Sequence, residues 1–147
     1  MTDVKKMSAD EFKVGQTFIS EEYQIPLDEI IEFATKYDPQ PFHVDEEKAK
    51  DSFFKELVAS GWHTASVTMK LWIDSIPFEK GAIGLGVNLE WNKPVRPGDT
   101  LHVESTIKEI NPSKSRPDRV YMKVESKAID QDGLVCETMT ANLMTFR

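Results

Sequence analysis

A chain of 147 residues that is 39% hydrophobic and 29% charged is long enough to bury a core of its own and too balanced for wholesale disorder, so one domain spanning 1–147 is expected. No apolar run approaches the ~20 residues of a membrane-spanning helix, and a formal net charge of −7 argues against general attraction to nucleic acid or anionic lipid, which depends on accumulated Lys and Arg. The polar start 1–10 has no apolar signal segment, so a flexible lead and a cytoplasmic protein are expected.

Val14-Gly15-Gln16 reads as a turn before a short strand over 17–25, which Pro26 terminates. A helix follows, because Leu27, Ile30, Ile31, Ala34 and Tyr37 recur at three- and four-residue intervals and Asp28, Glu29 and Glu32 favour its N-terminal end. It should stop by Asp38, since Pro39 disfavours helical geometry in the residue before it and Pro41 removes another donor. The run Asp38-Pro39-Gln40-Pro41-Phe42-His43 is thus a stiff loop. The stretch 44–55 mixes acids and bases around Phe53 and Phe54 and reads as a short solvated helix leading into an apolar turn.

The segment 60–76 is the most apolar helix. Trp62, Ala65, Val67, Met69, Leu71, Trp72, Ile73 and Ile76 surround most of its circumference, so it wants burial on several sides. Ser60 suits its N-cap and Pro77 limits its far end. Strand-like alternation then occupies 83–91, 100–110, 119–130 and 134–146, separated by turn-rich stretches. In the third strand Val120, Met122, Val124 and Ala128 face one way, and Tyr121, Lys123, Glu125 and Lys127 the other. Long strands after an apolar helix predict an α+β fold in which a curved antiparallel sheet wraps that helix. Edge strands and leftover apolar surface make a homodimer the natural expectation. The single cysteine, Cys136, lies in an apolar alternating strand and reads as a structural thiol.

Asp38 and His43 leave the proline-stiffened loop five positions apart. A carboxylate and an imidazole around one water make a general acid–base pair, because His titrates near neutral pH and Asp can orient it. Spacing alone leaves a second reading open, in which Asp38 ends a helix and His43 is a surface loop residue. Gly61 follows Ser60 at the start of the apolar helix, where the first N–H groups lack intrahelical partners and attract developing negative charge. A glycine there is also simply tolerated in a first helical turn. His63 and His102 read as structural, and no His, Cys and carboxylate spacing suggests a metal site. Lys93, Arg96, Lys114, Arg116, Arg119 and Lys123 suit phosphates or, more blandly, solvated surface.

Three runs together resemble the MaoC-like acyl dehydratases, a branch of the (R)-specific enoyl-CoA hydratases: Tyr37-Asp38-Pro39-Gln40-Pro41-Phe42-His43-Val44-Asp45, Ala59-Ser60-Gly61-Trp62-His63-Thr64, and Lys93-Pro94-Val95-Arg96-Pro97-Gly98-Asp99-Thr100-Leu101. The resemblance implies a hot-dog fold, usually paired into dimers. It implies reversible hydration of a trans-2-enoyl thioester to an (R)-3-hydroxyacyl thioester, carried by an acyl-CoA or an acyl-carrier protein. Asp38 and His43 match the family's catalytic pair, and Gly61 the glycine whose amide faces the thioester oxygen. Ser60 and Trp62 are expected beside the substrate. No cofactor is expected beyond the coenzyme A of the substrate itself. Gln40 departs from the asparagine common in the motif, which weakens any role for it in orienting His43 or the water. Two rivals are a hot-dog thioesterase, which needs a carboxylate poised on water near C1, and a non-catalytic acyl-binding module.

Overall fold

The computed structural model describes residues 5–147, so 1–4 of the lead expected to be flexible lie outside the described residues. The rest of that lead is held down. Met7 N–H donates to the Pro77 carbonyl at 2.8 Å and the Met7 carbonyl accepts from Glu79 N–H at 3.0 Å, while Ala9 and Phe12 are buried in the core.

The strand expected over 17–25 is two strands, β1 (Thr17–Ile19) and β2 (Tyr23–Gln24), both paired with β4 (Thr100–Pro112). Ser20 causes the break: its hydroxyl accepts from Val103 N–H at 2.8 Å and so takes a ladder position from the backbone. Helix α1 (Leu27–Tyr37) buries Ile30 and Ala34, one turn apart, and ends where Asp38 leaves helical geometry. The loop expected over 38–43 turns helical at Pro41, giving α2 (Pro41–Val44). Proline at the first helical position has no N–H to waste and its φ is already helical. The single short helix expected over 44–55 is confined to α3 (Glu46–Ala49), whose N-cap Asp45 accepts from Glu47 and Lys48 N–H.

Helix α4 (Gly61–Ser75) is the central helix, capped by Ser60 as expected. Around it curls the antiparallel sheet, in the order β1–β4–β5–β6–β3, with β3 (Ile83–Trp91), β5 (Arg119–Ile129) and β6 (Val135–Phe146). Val67, Leu71 and Trp72 of α4 pack into one cluster with Val103, Ile107, Val124 and Leu143 of the sheet. The alternation predicted in β5 holds, and Ser126, on the same inner face, hydrogen-bonds to Ser105 at 2.8 Å. Burial of α4 is less complete than its sequence suggests. Trp62, Met69 and Ile73 remain 59%, 48% and 42% exposed, and with Val87 of the edge strand β3, also exposed, they line one apolar pocket.

Cys136 is buried, and burial pushes its thiol up to about 11, which suits the structural role expected of it. Its neighbour Glu137 is the misfit of the core. It is fully buried, and neither carboxylate oxygen finds a hydrogen-bond partner. The nearby donors are committed elsewhere: Thr68 Oγ1 to the Thr64 carbonyl at 2.8 Å, and Trp91 Nε1 to the Gly61 carbonyl at 3.0 Å. Burial therefore pushes the Glu137 carboxyl up, and the proximity of Thr68 and Trp91 opposes this only in part. A carboxyl raised in the fold stabilises below its unfolded pKa of about 4.3 and loses that contribution as pH climbs toward the folded value. Glu137→Gln removes the titration, so its melting temperature relative to the parent should improve as pH rises above the unfolded value and level off once the folded carboxyl has ionised. Scanning calorimetry showing a pH-independent difference would contradict this.

Candidate active site

Helix α1 delivers Asp38 from its C-terminal end, α2 delivers His43, and the N-terminus of α4 delivers Ser60 and Gly61. These meet although 22 residues separate Asp38 from Ser60. His43 Nε2 lies 3.4 Å from Asp38 Oδ2. The imidazole is 5% exposed, and its Nδ1 hydrogen-bonds to the Val58 carbonyl at 2.7 Å. A carbonyl only accepts, so Nδ1 carries a proton and Nε2 is the ring atom left facing Asp38. Phe42 stands edge-on to the ring, with centroids 4.6 Å apart, and keeps it from turning.

Both oxygens of Asp38 are held. Oδ2 accepts from Ser60 Oγ and Oδ1 from Gln40 Nε2, each at 2.7 Å. Burial works to raise the carboxyl, but these two hydrogen bonds and the charge of His43 outweigh it and keep Asp38 below the ordinary carboxylate range. Gln40 thus acts on Asp38 rather than on His43: its extra methylene lets the amide reach back two residues. Ser60 is fully buried. Its hydroxyl donates to Asp38 and accepts from Trp62 N–H at 3.2 Å, linking α4 to the carboxylate.

The helix start leaves one backbone donor unclaimed among the described residues. Ser60 carbonyl accepts from His63 and Thr64 N–H, and Trp62 N–H is taken by the Ser60 hydroxyl. Gly61 N–H makes no hydrogen bond among the described residues, at the positive end of the α4 dipole.

Ser60→Ala removes both the cap and a donor to Asp38. Loss of such a cap costs about 1 kcal/mol, and Asp38 should lose part of its depression. The acid limb of the pH–rate profile should therefore move to higher pH with kcat lowered; an unmoved limb in a folded variant would show that Ser60 does not tune the carboxylate.

The remaining candidates divide. Trp62 is exposed and lines an apolar pocket of about 580 Å³ with Ala65, Met69, Trp72, Leu89 and Leu143. His63 is buried, stacked on Phe33 at 4.7 Å, and paired through Nε2 with Glu29 at 2.8 Å. Tyr23 donates to the other Glu29 oxygen, and that bond with burial pushes its phenol up to about 12. Tyr23, Glu29 and His63 thereby tie β2, α1 and α4 together beside the dyad, a tie that the sequence reading missed. His102 pairs with Glu104. Lys93, Arg96, Arg119 and Lys123 are engaged with Asp130, Glu56, Asp118 and Glu109. A second cleft of about 670 Å³ is lined by Phe33, Tyr37, Val67 and Leu71 together with charged Glu32, Lys36, Lys70 and Asp74.

The family model described as "MaoC like domain" matches residues 11–130. A MaoC-like dehydratase from Rhodospirillum rubrum superimposes with a TM-score of 0.93 at 46% identity, covering 96% of this chain and 97% of that one. The (R)-hydratase PhaJ1 from Pseudomonas aeruginosa does so with a TM-score of 0.78 at 27% identity, covering 97% and 87%. A relative known by sequence, the uncharacterized protein YdeM of Bacillus subtilis (strain 168), is 36% identical over 111 residues, which is 74% of this chain and 79% of YdeM. With its sheet wrapped around α4 and these likenesses along most of its length, the chain belongs to the MaoC-like dehydratase family and has the hot-dog fold.

Proposed function

We propose that this protein is a cytoplasmic hydro-lyase that interconverts trans-2-enoyl and (R)-3-hydroxyacyl thioesters. The observation that carries the reading is the meeting of a restrained carboxylate–imidazole pair with a helix start whose Gly61 N–H has no partner. Asp38 stays ionised at neutral pH and accepts a hydrogen bond from one water, while His43 Nε2 faces the same point. As the water oxygen bonds to C3, its proton passes through the pair and C2 gains a proton, so the elements of water add across the double bond. Negative charge gathering on the thioester oxygen is met by Gly61 N–H. The two side chains handle one proton between them, and the reverse sequence eliminates water.

The apolar pocket beside Trp62 suits the acyl chain, with the bulk of Trp72 and Leu143 limiting its depth. The carrier of the thioester is coenzyme A or an acyl-carrier arm. We further assign the exposed edge of β3 and the apolar side of α4 to a homodimer contact, since they leave an unpaired strand edge next to exposed Trp62, Met69 and Ile73. Light scattering should give the dimer mass; a monomer at assay concentrations would contradict the assignment.

The reaction is tested by following the conjugated absorbance of short and medium trans-2-enoyl-CoA thioesters. Loss of absorbance without free thiol supports hydration. Release of thiol with the double bond intact supports a thioesterase, and no change in either overturns both.

A further inference from the structure

The missing side chain of Gly61 points at protein. A Cβ there would stand 2.6 Å from Cε2 of Trp91 and 2.9 Å from its Cδ2 and Nε1. Contacts that close would force the indole, 49% exposed, off the Cα, so glycine is what lets Trp91 lie there.

The same indole completes a set of restraints. Two peptide units flank the Gly61 Cα and carry four polar groups. Ser60 carbonyl is bonded to His63 and Thr64 N–H, Trp62 N–H to Ser60 Oγ, and Gly61 carbonyl to Trp91 Nε1 at 3.0 Å. The fourth is the unpartnered Gly61 N–H. Glycine has the freest backbone of any residue, so an unrestrained donor on it would swing, and a donor must be fixed in advance to stabilise developing charge. Trp91 is the only member of this set that comes from the sheet.

Trp91 is itself well held. It faces Glu137 across the β3–β6 ladder. The next two residues, Asn92 and Lys93, donate their N–H groups to the Cys136 carbonyl at 2.8 and 3.2 Å. Trp62 packs edge-on against its ring, centroids 5.5 Å apart. We propose that Trp91 is a positioning residue that anchors the first peptide of α4 to the sheet and so aims Gly61 N–H at the thioester oxygen. Its catalytic consequence rests on the hydration reading above; its structural consequence does not.

The test is Trp91→Phe, which keeps a ring over Gly61 and removes the N–H, read by two measurements. Enoyl hydration should show kcat lowered about tenfold, a fraction of the loss seen on deleting a whole oxyanion donor, with KM within about twofold of the parent. Nitrogen-15 relaxation should show the Gly61 amide falling from a rigid order parameter of about 0.85 toward the flexible range near 0.6. Trp91→Tyr also lacks the N–H and is read the same way should the Phe variant not fold. A folded variant that keeps the parent's Gly61 rigidity, or that loosens Gly61 without losing kcat, overturns the proposal. So does a rise in KM alone, which would make Trp91 a substrate contact. If the parent hydrates no enoyl thioester, the reaction assignment fails, and the amide measurement alone then decides whether Trp91 fixes Gly61.

Discussion

Asp38→Asn is expected to lower kcat for enoyl hydration by about 10³-fold, within the range that a positioned acid or base supplies, with little change in KM. The substitution preserves shape and reverses chemistry. Ser60 Oγ and Gln40 Nε2 both donate to the native carboxylate, so an amide must turn its NH₂ toward one of two donors. The negative charge beside His43 also disappears. Steady-state kinetics on the folded variant checks this, and activity within about tenfold of the parent would remove Asp38 from the chemistry. A related expectation concerns pH. Because Asp38 is held below its ordinary range, its interactions contribute stability above its unfolded pKa, and that contribution is lost as pH falls through the folded value. Its ionisation should therefore place the acid limb of activity below the ordinary carboxylate range.

His43→Asn should cost about 10²–10³-fold in kcat while the fold survives. An asparagine amide can occupy the place of Nδ1 and keep the hydrogen bond to the Val58 carbonyl, so the variant isolates the loss of Nε2, the atom that faces Asp38 at 3.4 Å. A near-parent melting temperature combined with that loss identifies Nε2 as the working atom. If kcat survives, the buried imidazole is a packing element between Phe42 and Val58. In the double variant with Asp38→Asn the losses should fall well short of multiplying, because two groups that handle one proton act as a unit.

The three- to four-residue pattern foretold α1, the nearly all-round apolar run foretold the central helix, and strand-like runs between turn residues foretold the four long strands, because burial leaves a direct mark on sequence. Asp38 and His43 were suggested by their closeness in sequence, but spacing left a surface-loop reading open, and the resemblance of three motifs to a family singled the pair out. What escaped depends on partners far apart in the chain. Glu29 meets His63 across 34 residues, and Trp91 meets Gly61 across 30, with no local pattern to announce either contact. The turn of helix at Pro41 was misjudged because proline was read only as a breaker, although at the first position of a helix it is favourable. Ser60 was placed beside the substrate for its position in a motif, and its bond to Asp38 adds a partner that no local pattern announced. Glu137 had a signal that went unused. Along β6 its parity is that of the core-facing Met139 and Leu143, which places a carboxylate inside.

The reading as a whole turns on where the water oxygen goes. The decisive measurement is mass spectrometry of the product formed from a trans-2-enoyl-CoA in water labelled with heavy oxygen. Delivery by Asp38 and His43 to C3 predicts one labelled atom in the 3-hydroxyl group, an intact and unlabelled thioester carbonyl, and labelled product forming about 10³-fold more slowly with Asp38→Asn. Label in a free carboxylate, with coenzyme A released, would contradict the account and assign the same carboxylate to thioester hydrolysis.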